Sequence, residues 1–226
     1  MSSDDRAEVS VKDRVAVIAL KRPPVNAIDH PMLDALHGAM RATDADPDIR
    51  AVILTSALPR MFCGGMDLRM VAEGDVHDFR AFVYRFYMDT MNIQYAMRKP
   101  TIVALNGPAR GAGMTLAITS DVILAADDVD VGYPEIDVSV LPAIHYVHLP
   151  RQISRHKAFE LLFGGKPFPA QEAVSLGIIN HAVPRSELME RAFSLAYAFA
   201  AKSQRTMELP RLLAGDLDVP LASREE

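Results

Sequence analysis

Two short apolar runs, at 51–55 and 101–105, limit the possible folds of this chain more than any other feature of its sequence. Each run is almost free of polar residues, as is typical of strands that are buried on both faces. Segments with the apolar spacing of helices stand between and after the two runs. This alternation of strands and helices predicts an α/β arrangement in layers and disfavours an all-helical or all-β fold.

The remaining elements of the first part of the chain follow from spacing and from helix-start residues. A helix is expected to begin near Asp29 or His30, because Pro31 is favourable in a first helical turn. The other expected elements are strands at 8–11, 14–20 and 121–126 and a long helix at 76–98, whose aromatic and methionine residues indicate a core position.

The chain becomes mainly helical after Pro142, with expected helices at 155–163, 170–176 and 187–201. No fixed-period repeat or long linker divides it. A chain of 226 residues, 50% of them hydrophobic, is long enough to bury a large core. We therefore expect a core over residues 1–150 and a helical C-terminal part over 151–226.

Charge and cysteine content disfavour several classes of protein. The formal net charge is −5 and the basic residues are scattered, so neither a nucleic-acid partner nor an anionic membrane surface is expected. No apolar run reaches the roughly 18 residues that span a bilayer, and the polar start of the chain does not read as a secretory signal. The single cysteine, Cys63, excludes an internal disulfide and a cysteine cluster for zinc. A cytoplasmic protein without a metal site is the expectation.

Two glycine-containing loops, at 62–68 and 106–114, follow the two apolar runs. The first N–H groups of a helix have no partner within that helix. If the loops lie side by side, one N–H group from each can hold a carbonyl oxygen and stabilise the negative charge that develops on it. The alternative is that both are ordinary turns between a strand and a helix.

Other known loop motifs do not fit these sequences. Gly111 and Gly113 lack the third glycine of a dinucleotide fingerprint, and Pro167 stands where a phosphate-binding loop needs Ser or Thr. Nucleophilic catalysis has no support, because there is no G-x-S-x-G sequence and no histidine adjacent to Cys63. His145 and His148 are three residues apart but have no nearby third ligand for a metal.

Glu135 is a candidate acid or base because it stands in a mostly apolar stretch. Partial burial disfavours an ionised carboxyl group and raises its pKa toward the range that is useful at neutral pH. The alternative is a surface carboxylate beside a turn.

Taken together, these segments resemble a known family, the crotonase superfamily of enoyl-CoA hydratases and isomerases, from about residue 9 to residue 201. The resemblance lies in the order and spacing of six pieces, at 22–28, 62–68, 106–113, 120–121, 134–135 and 173–183. It implies a ClpP/crotonase-like spiral of stacked β-strands and helices, with a helical C-terminal part that builds homotrimers and often hexamers. It also implies a coenzyme A thioester as substrate, so that coenzyme A is part of the substrate and no separate cofactor is needed.

The resemblance also assigns roles to individual residues. The two backbone N–H groups that stabilise a thioester enolate fall on Met66 and Ala112. Contacts with coenzyme A fall on the loop around Val25 and Ala27 and on the backbone at Gly64 and Met66.

One departure from the family pattern bears on the reaction. Hydratases of the family have a first glutamate three residues after the second oxyanion donor, where this chain has Thr115, whereas the second glutamate is kept as Glu135. A threonine hydroxyl can bind a water but cannot take its proton near neutral pH. This favours a Δ3,Δ2-enoyl-CoA isomerase, in which one carboxylate moves a proton from C2 to C4. Hydration, decarboxylation, C–C cleavage, thioester hydrolysis and acyl-CoA binding without catalysis stay open.

Two further departures concern the acyl pocket. The segment 142–147 replaces a glycine-rich stretch, so His145 or Tyr146 is expected to act as an auxiliary acid or, more simply, as a wall of the pocket. Thr115, Pro134 and His145 are accordingly expected to face the substrate. The sequence stops at Glu226, short of the last helices that most members use to cover this pocket.

Overall fold

The structure is a computed structural model and describes residues 6–70, 75–204 and 206–207. In this part the chain forms nine strands: β1 (Ala7–Lys12), β2 (Val15–Leu20), β3 (Ala51–Ser56), β4 (Thr101–Leu105), β5 (Ala109–Arg110), β6 (Val122–Ala126), β7 (Asp130–Gly132), β8 (Phe168–Pro169) and β9 (His181–Val183). Six of them form one sheet in the order β1-β2-β3-β4-β6-β9, in which only the β1–β2 pair is antiparallel. A small second sheet has the order β5-β7-β8.

Eight α-helices accompany these strands in the described residues: α1 (His30–Ala45), α2 (Val76–Tyr84), α3 (Thr90–Ala96), α4 (Ala112–Ile118), α5 (Ala143–Gln152), α6 (Arg155–Gly164), α7 (Ala170–Ser175) and α8 (Leu188–Ala200). A π-helical turn, Arg85–Asp89, joins α2 to α3, and 3-10 turns occupy Pro134–Val138 and Arg185–Glu187. The predicted start of α1 is confirmed, because the Asp29 side chain accepts a hydrogen bond from the N–H group of Met32 at 2.9 Å.

The core lies on both faces of the large sheet. Every residue of β3 and of β4 is buried, as the two apolar runs predict. Helix α1 packs against β1 and β2, and α8 packs against β2, β3, β4 and β6. The predicted α/β fold with a mainly helical C-terminal part is therefore confirmed.

Two features differ from the sequence expectation. The expected single helix at 76–98 is interrupted by the π-helical turn, which rotates the residues after it relative to α2. The four short strands β5, β7, β8 and β9 were not expected, because two or three residues are too few to show a periodicity.

The C-terminal part also contributes to the core. Strand β9 pairs with β6 and completes the large sheet, and α8 covers that sheet, although both follow residue 150. The division at residue 150 and the role of residues 151–226 in trimer contacts stay predictions. The chain end at Glu226 lies outside the described residues.

Candidate active site

The two glycine-containing loops lie side by side, which is the arrangement that an oxyanion site requires. The N–H groups of Phe62 and Cys63 donate to the carbonyl oxygen of Pro108 at 3.1 and 3.2 Å. In return, the N–H group of Arg110 donates to the carbonyl oxygen of Cys63 at 2.9 Å. These hydrogen bonds fix one loop against the other just before α4 begins.

A glycine at position 113 allows this close approach. A Cβ atom at Gly113 would lie 2.8 Å from the carbonyl oxygen of Cys63 and 2.9 Å from its Cβ atom. Because the first of these contacts is with backbone, a side chain at this position would push the loops apart.

Met66 and Ala112 are the two residues whose N–H groups are expected to bind an oxyanion. Ala112 is the first residue of α4, whose earliest N–H groups have no acceptor within the helix. Within the part of the chain that the structure describes, neither N–H group donates to another backbone group. Both residues line the same pocket, so both groups are available to a ligand oxygen there.

Glu135 lies in the 3-10 turn Pro134–Val138 and enters this pocket from the opposite loop. Its exposed fraction is 6%, so it is not a surface carboxylate. Gly111 has a φ of +48°, and a Cβ atom there would lie 2.9 Å from Oε1 of Glu135. The glycine therefore lets the carboxyl group approach the backbone immediately before Ala112.

Burial sets the protonation of this carboxyl group. It raises the pKa of Glu135 to about 7, because the ionised form loses its contact with water. A group with this pKa exchanges protons readily in both directions at neutral pH. Glu135 is therefore suited to take a proton from a substrate and to return it.

The pocket has a volume of about 150 Å³ and brings most of the expected site residues together. Its lining consists of Gly64, Gly65, Met66, Leu68, Gly111, Ala112, Pro134, Glu135, Asp137, Val138 and Val140. Asp137 is a second acidic residue of this wall that the sequence analysis did not single out, and its Oδ2 atom would lie 2.9 Å from a Cβ atom at Gly165. It was overlooked because an aspartate two residues after Glu135 in a turn reads as a solvated surface residue.

Thr115 and His145, which were expected to face the substrate, are not among the lining residues of this pocket. Both are fully buried, and Oγ1 of Thr115 lies 3.2 Å from Nε2 of His145. Burial lowers the pKa of His145 to about 3, so the imidazole is neutral at neutral pH. Tyr146 packs its ring against Phe159 and Phe163 and is also not among the lining residues.

Val25 and Ala27 line an adjacent pocket of about 380 Å³. A hydrogen bond connects the linings of the two pockets, because the N–H group of Gly64 donates to the carbonyl oxygen of Val25 at 2.8 Å. Arg22 and Arg69 also line the adjacent pocket. The sequence analysis used Arg22 only as part of the 22–28 piece, and it missed Arg69 because an isolated arginine carries no motif.

Both arginines are anchored on a single carboxyl group. Nη2 of Arg22 and Nη2 of Arg69 lie 2.6 and 2.7 Å from Oδ2 of Asp67. The hydrogen bonds from Arg69 and Arg22 hold the pKa of Asp67 well below its usual range. Asp67 therefore remains ionised and fixes both guanidinium groups beside the Val25 loop.

Comparison with protein families matches residues 10–211 to the family Enoyl-CoA hydratase/isomerase. The chain belongs to this family. A probable enoyl-CoA hydratase, echA8, of Mycobacterium bovis is 35% identical over 192 residues, which are 84% of this chain and 73% of that protein. A carnitinyl-CoA dehydratase of Proteus mirabilis is 35% identical over 195 residues, which are 83% of this chain and 72% of that protein.

Solved structures of the enoyl-CoA hydratase/isomerase family share the fold. An enoyl-CoA hydratase from Bacillus anthracis superimposes with a TM-score of 0.88 at 28% identity, covering 96% of this chain and 85% of that one. Membership of the crotonase superfamily and its spiral fold are confirmed, and the protein is an enzyme of the lyase or isomerase type.

Two further observations on the described residues concern membrane spans and metal ions. No helix among them is long and apolar enough to cross a membrane. Nor do residues 6–70, 75–204 and 206–207 bring together three or more His, Cys, Asp or Glu side chains that could hold a metal ion.

Proposed function

We propose that this enzyme converts a 3-enoyl-CoA into a 2-enoyl-CoA through a thioester enolate. The observation that carries the proposal is the buried carboxyl group of Glu135, placed against Gly111 and next to the Ala112 N–H group. Thr115, which stands where hydratases of the family have their first glutamate, contacts His145 and is not among the lining residues of the pocket. One acid/base group and an oxyanion site are sufficient for isomerisation.

The reaction moves one proton and two electron pairs. The thioester oxygen accepts hydrogen bonds from the N–H groups of Met66 and Ala112, which stabilise the charge that develops on it. Glu135 removes a proton from C2, and the C–H electrons form the enolate. The enolate then collapses, so that the double bond moves from C3–C4 to C2–C3, and C4 takes the proton back from Glu135. Loss of one oxyanion donor typically costs a factor of about 100 to 1000 in kcat.

The adjacent pocket is the proposed site of the coenzyme A moiety. Val25 and Ala27 would contact the adenine and pantetheine parts, and Gly64 and Met66 would contact the pantetheine through their backbone. Arg22 and Arg69 stand beside this loop, where guanidinium groups suit phosphate oxygens. Charge reversal at Arg69 should therefore raise the KM for acyl-CoA more than it lowers kcat.

A homotrimer or a dimer of trimers in the cytoplasm is also part of this proposal. Sedimentation equilibrium would distinguish these assemblies, since one chain has a mass of 24.8 kDa. A monomer would contradict it.

The decisive experiment is NMR of the C2 and C4 protons in D₂O, with a 3-enoyl-CoA and with crotonyl-CoA, for the wild type and Glu135→Gln. We expect the wild type to form the 2-enoyl-CoA and to exchange these protons. Glu135→Gln should lose both activities while still binding the substrate. Proton movement that persists in Glu135→Gln would refute the role of Glu135.

A second candidate, hydration of a 2-enoyl-CoA, is favoured by Asp137. Asp137 lines the same pocket as Glu135, so an aspartate that turns its carboxyl group toward the substrate could act with Glu135 as the pair of glutamates does in a hydratase. If so, crotonyl-CoA gives 3-hydroxybutyryl-CoA, and Asp137→Asn abolishes that product while leaving C2 exchange intact. The isomerase proposal instead requires that Asp137→Asn leave isomerisation essentially unchanged.

A further inference from the structure

Three buried polar atoms of Glu135 and its neighbours have no hydrogen-bond partner within the protein. They are Oε2 of Glu135, the hydroxyl oxygen of Tyr133 and Nδ1 of His145. Only one other buried side-chain atom in the described residues, Oδ1 of Asn106, shares this condition. Because buried polar groups are nearly always paired, three unpaired atoms in neighbouring residues call for a physical explanation.

The contacts between these residues place them in one neighbourhood. The rings of Tyr133 and His145 have their centroids 4.5 Å apart, at an interplanar angle of 56°. Tyr133 precedes Glu135 by two residues, and burial together with the charge of Glu135 raises the pKa of the phenol. Gly111 lies close to both Glu135 and His145, since a Cβ atom there would lie 2.9 Å from Oε1 of Glu135 and its backbone has a hydrogen bond with the His145 imidazole.

The imidazole of His145 already uses its other nitrogen. Nε2 lies 3.2 Å from Oγ1 of Thr115, where either group can donate, and the imidazole also has a hydrogen bond with the backbone of Gly111. Because a backbone carbonyl oxygen can only accept, we assign the proton to Nε2, the nitrogen that has protein contacts. A neutral imidazole with its proton on Nε2 has an acceptor at Nδ1. The three unpaired atoms then comprise one donor, the Tyr133 hydroxyl, and two acceptors, Nδ1 and the ionised Oε2.

We propose that one internal water bridges Glu135, Tyr133 and His145, and that Tyr133 and His145 are positioning residues for the carboxyl group. The water accepts a hydrogen bond from the Tyr133 hydroxyl and donates one to Oε2 of Glu135 and one to Nδ1 of His145. Three hydrogen bonds to otherwise unpaired buried groups are typical of such a water. This inference rests on the proposed role of Glu135 as the acid/base group.

The bridge has two consequences for Glu135. It fixes the rotation of the carboxyl group, because the water binds Oε2 while Oε1 lies against Gly111. It also stabilises the ionised form, since a hydrogen bond to a carboxylate favours that form. With the bridge in place, the pKa of Glu135 lies below the value of about 7 that burial produces.

Other titratable groups face the same site and must be kept constant in any test. Tyr87, in the π-helical turn, is affected by the charge of Glu135, and His148 affects His145 from the same helix, α5. Asp137 shares the pocket wall with Glu135. The variants that test the bridge leave all three of these groups in place.

The test is a titration of the Glu135 carboxyl group by difference infrared spectroscopy, in the absence of substrate. The band of the protonated carboxyl group is assigned by its disappearance in Glu135→Gln. We expect Tyr133→Phe, which keeps the ring and removes only the hydroxyl, to raise this pKa by about 0.5 to 1 unit. The pH dependence of kcat should shift in the same direction.

A pair of substitutions at His145 tests the contribution of each of its two nitrogens. Gln places its amide near the position of Nε2 and loses the Nδ1 contact, whereas Asn places its amide near Nδ1 and loses the contact with Thr115. His145→Gln should therefore raise the Glu135 pKa as Tyr133→Phe does, and His145→Asn should leave it closer to the wild-type value. Tyr146→Phe is the matched control, because it removes a hydroxyl from the same helix next to Phe159 and Phe163, and it should cause no shift.

The results distinguish this inference from the proposed function. If Tyr133→Phe and His145→Gln titrate like the wild type while Glu135→Gln is inactive, the bridge is refuted and the role of Glu135 stands. If the two variants shift the infrared titration but Glu135→Gln keeps C2 exchange, the bridge exists and the proposed function fails. An equal shift in Tyr146→Phe would also refute the bridge, because it would reveal a general effect of altering α5.

Discussion

At the scale of single residues, the site depends on backbone that only glycine adopts without strain. Gly111 combines a φ of +48° with a position directly against Oε1 of Glu135. It also precedes Ala112, whose N–H group is proposed to hold the thioester oxygen. One residue without a side chain therefore brings together the proposed base and the oxyanion donor.

Gly111→Ala should consequently damage catalysis more than stability. The new methyl group would lie 2.9 Å from Oε1, so the carboxyl group must move, and the backbone conformation, with φ +48° and ψ −108°, adds strain of about 1 to 3 kcal/mol. We expect kcat to fall by about a factor of 100 or more. Gly164→Ala is the control, because a Cβ atom there meets nothing within 4 Å and it should leave kcat unchanged. Equal kcat values for wild type and Gly111→Ala would contradict this account.

Residues that belong to a family motif could be predicted here, whereas those that matter only through their neighbours in the fold could not. The resemblance to the family implies Met66 and Ala112, the apolar context of Glu135 singles out that residue, and all three line one pocket. Tyr133 reads from the sequence as an ordinary core residue, because an orphaned hydroxyl is visible only when its neighbours are known.

At the scale of elements, the π-helical turn explains why the 76–98 segment is not one straight helix. The rings of Phe82 and Phe86 stack with centroids 6.3 Å apart, and both side chains are fully buried across the junction of α2 and the turn. Helical spacing predicts the burial of these aromatic residues, but one additional residue in a turn changes only the rotation of the helix beyond it. The hydrophobic pattern therefore predicts the core and not the interruption.

The contact between α1 and α3 gives this part of the fold a pH dependence. Nε2 of His37 in α1 lies 2.9 Å from Oγ1 of Thr90 in α3, and both side chains are buried. Burial, with smaller contributions from Arg41 and Arg85, lowers the pKa of His37 to about 4 from 6.5. Between these values the unfolded chain binds a proton that the folded chain does not.

The free energy of unfolding should therefore fall as the pH falls from 6.5 to 4, by about 3 kcal/mol from His37 alone. His145 contributes in the same direction and Glu135 in the opposite one, so the wild type alone is not diagnostic. Urea unfolding of wild type and His37→Gln across this range isolates the contribution of His37, because Gln can still contact Thr90 and does not titrate. If the free energy of unfolding changes equally with pH in the two proteins, His37 is not the source of the pH dependence.

At the scale of the whole molecule, the sequence predicts the central strands of the large sheet better than the strand that completes it. The two apolar runs predict the fully buried strands β3 and β4 at the centre of the sheet, where long-range burial and local pattern agree. The last strand, β9, is only three residues long and joins the sheet through β6, about 55 residues earlier in the chain. Such a pairing is set by tertiary packing, which no local window contains.

The proposed base also imposes a cost on the stability of the whole fold. Burial raises the pKa of Glu135 to about 7 from 4.5, so the folded chain binds a proton more readily than the unfolded chain between these values. The stabilising contribution of the protonated form is complete below pH 4.5 and is lost as the pH rises through 7. Above pH 7 the folded protein carries an unfavourably buried charge.

The free energy of unfolding of Glu135→Gln should therefore exceed that of the wild type above pH 7 by about 2 to 3 kcal/mol. The same variant should no longer exchange the C2 proton of the substrate. The amide keeps nearly the same shape and removes the charge, so this difference should shrink steadily toward pH 4.5. Chemical unfolding of the two proteins at pH 4.5, 6 and 8 measures it, with Glu160→Gln on the exposed face of α6 as the control. A stability difference that is independent of pH would mean that the carboxyl group is not held in the buried, partly protonated state on which its proposed catalytic role depends.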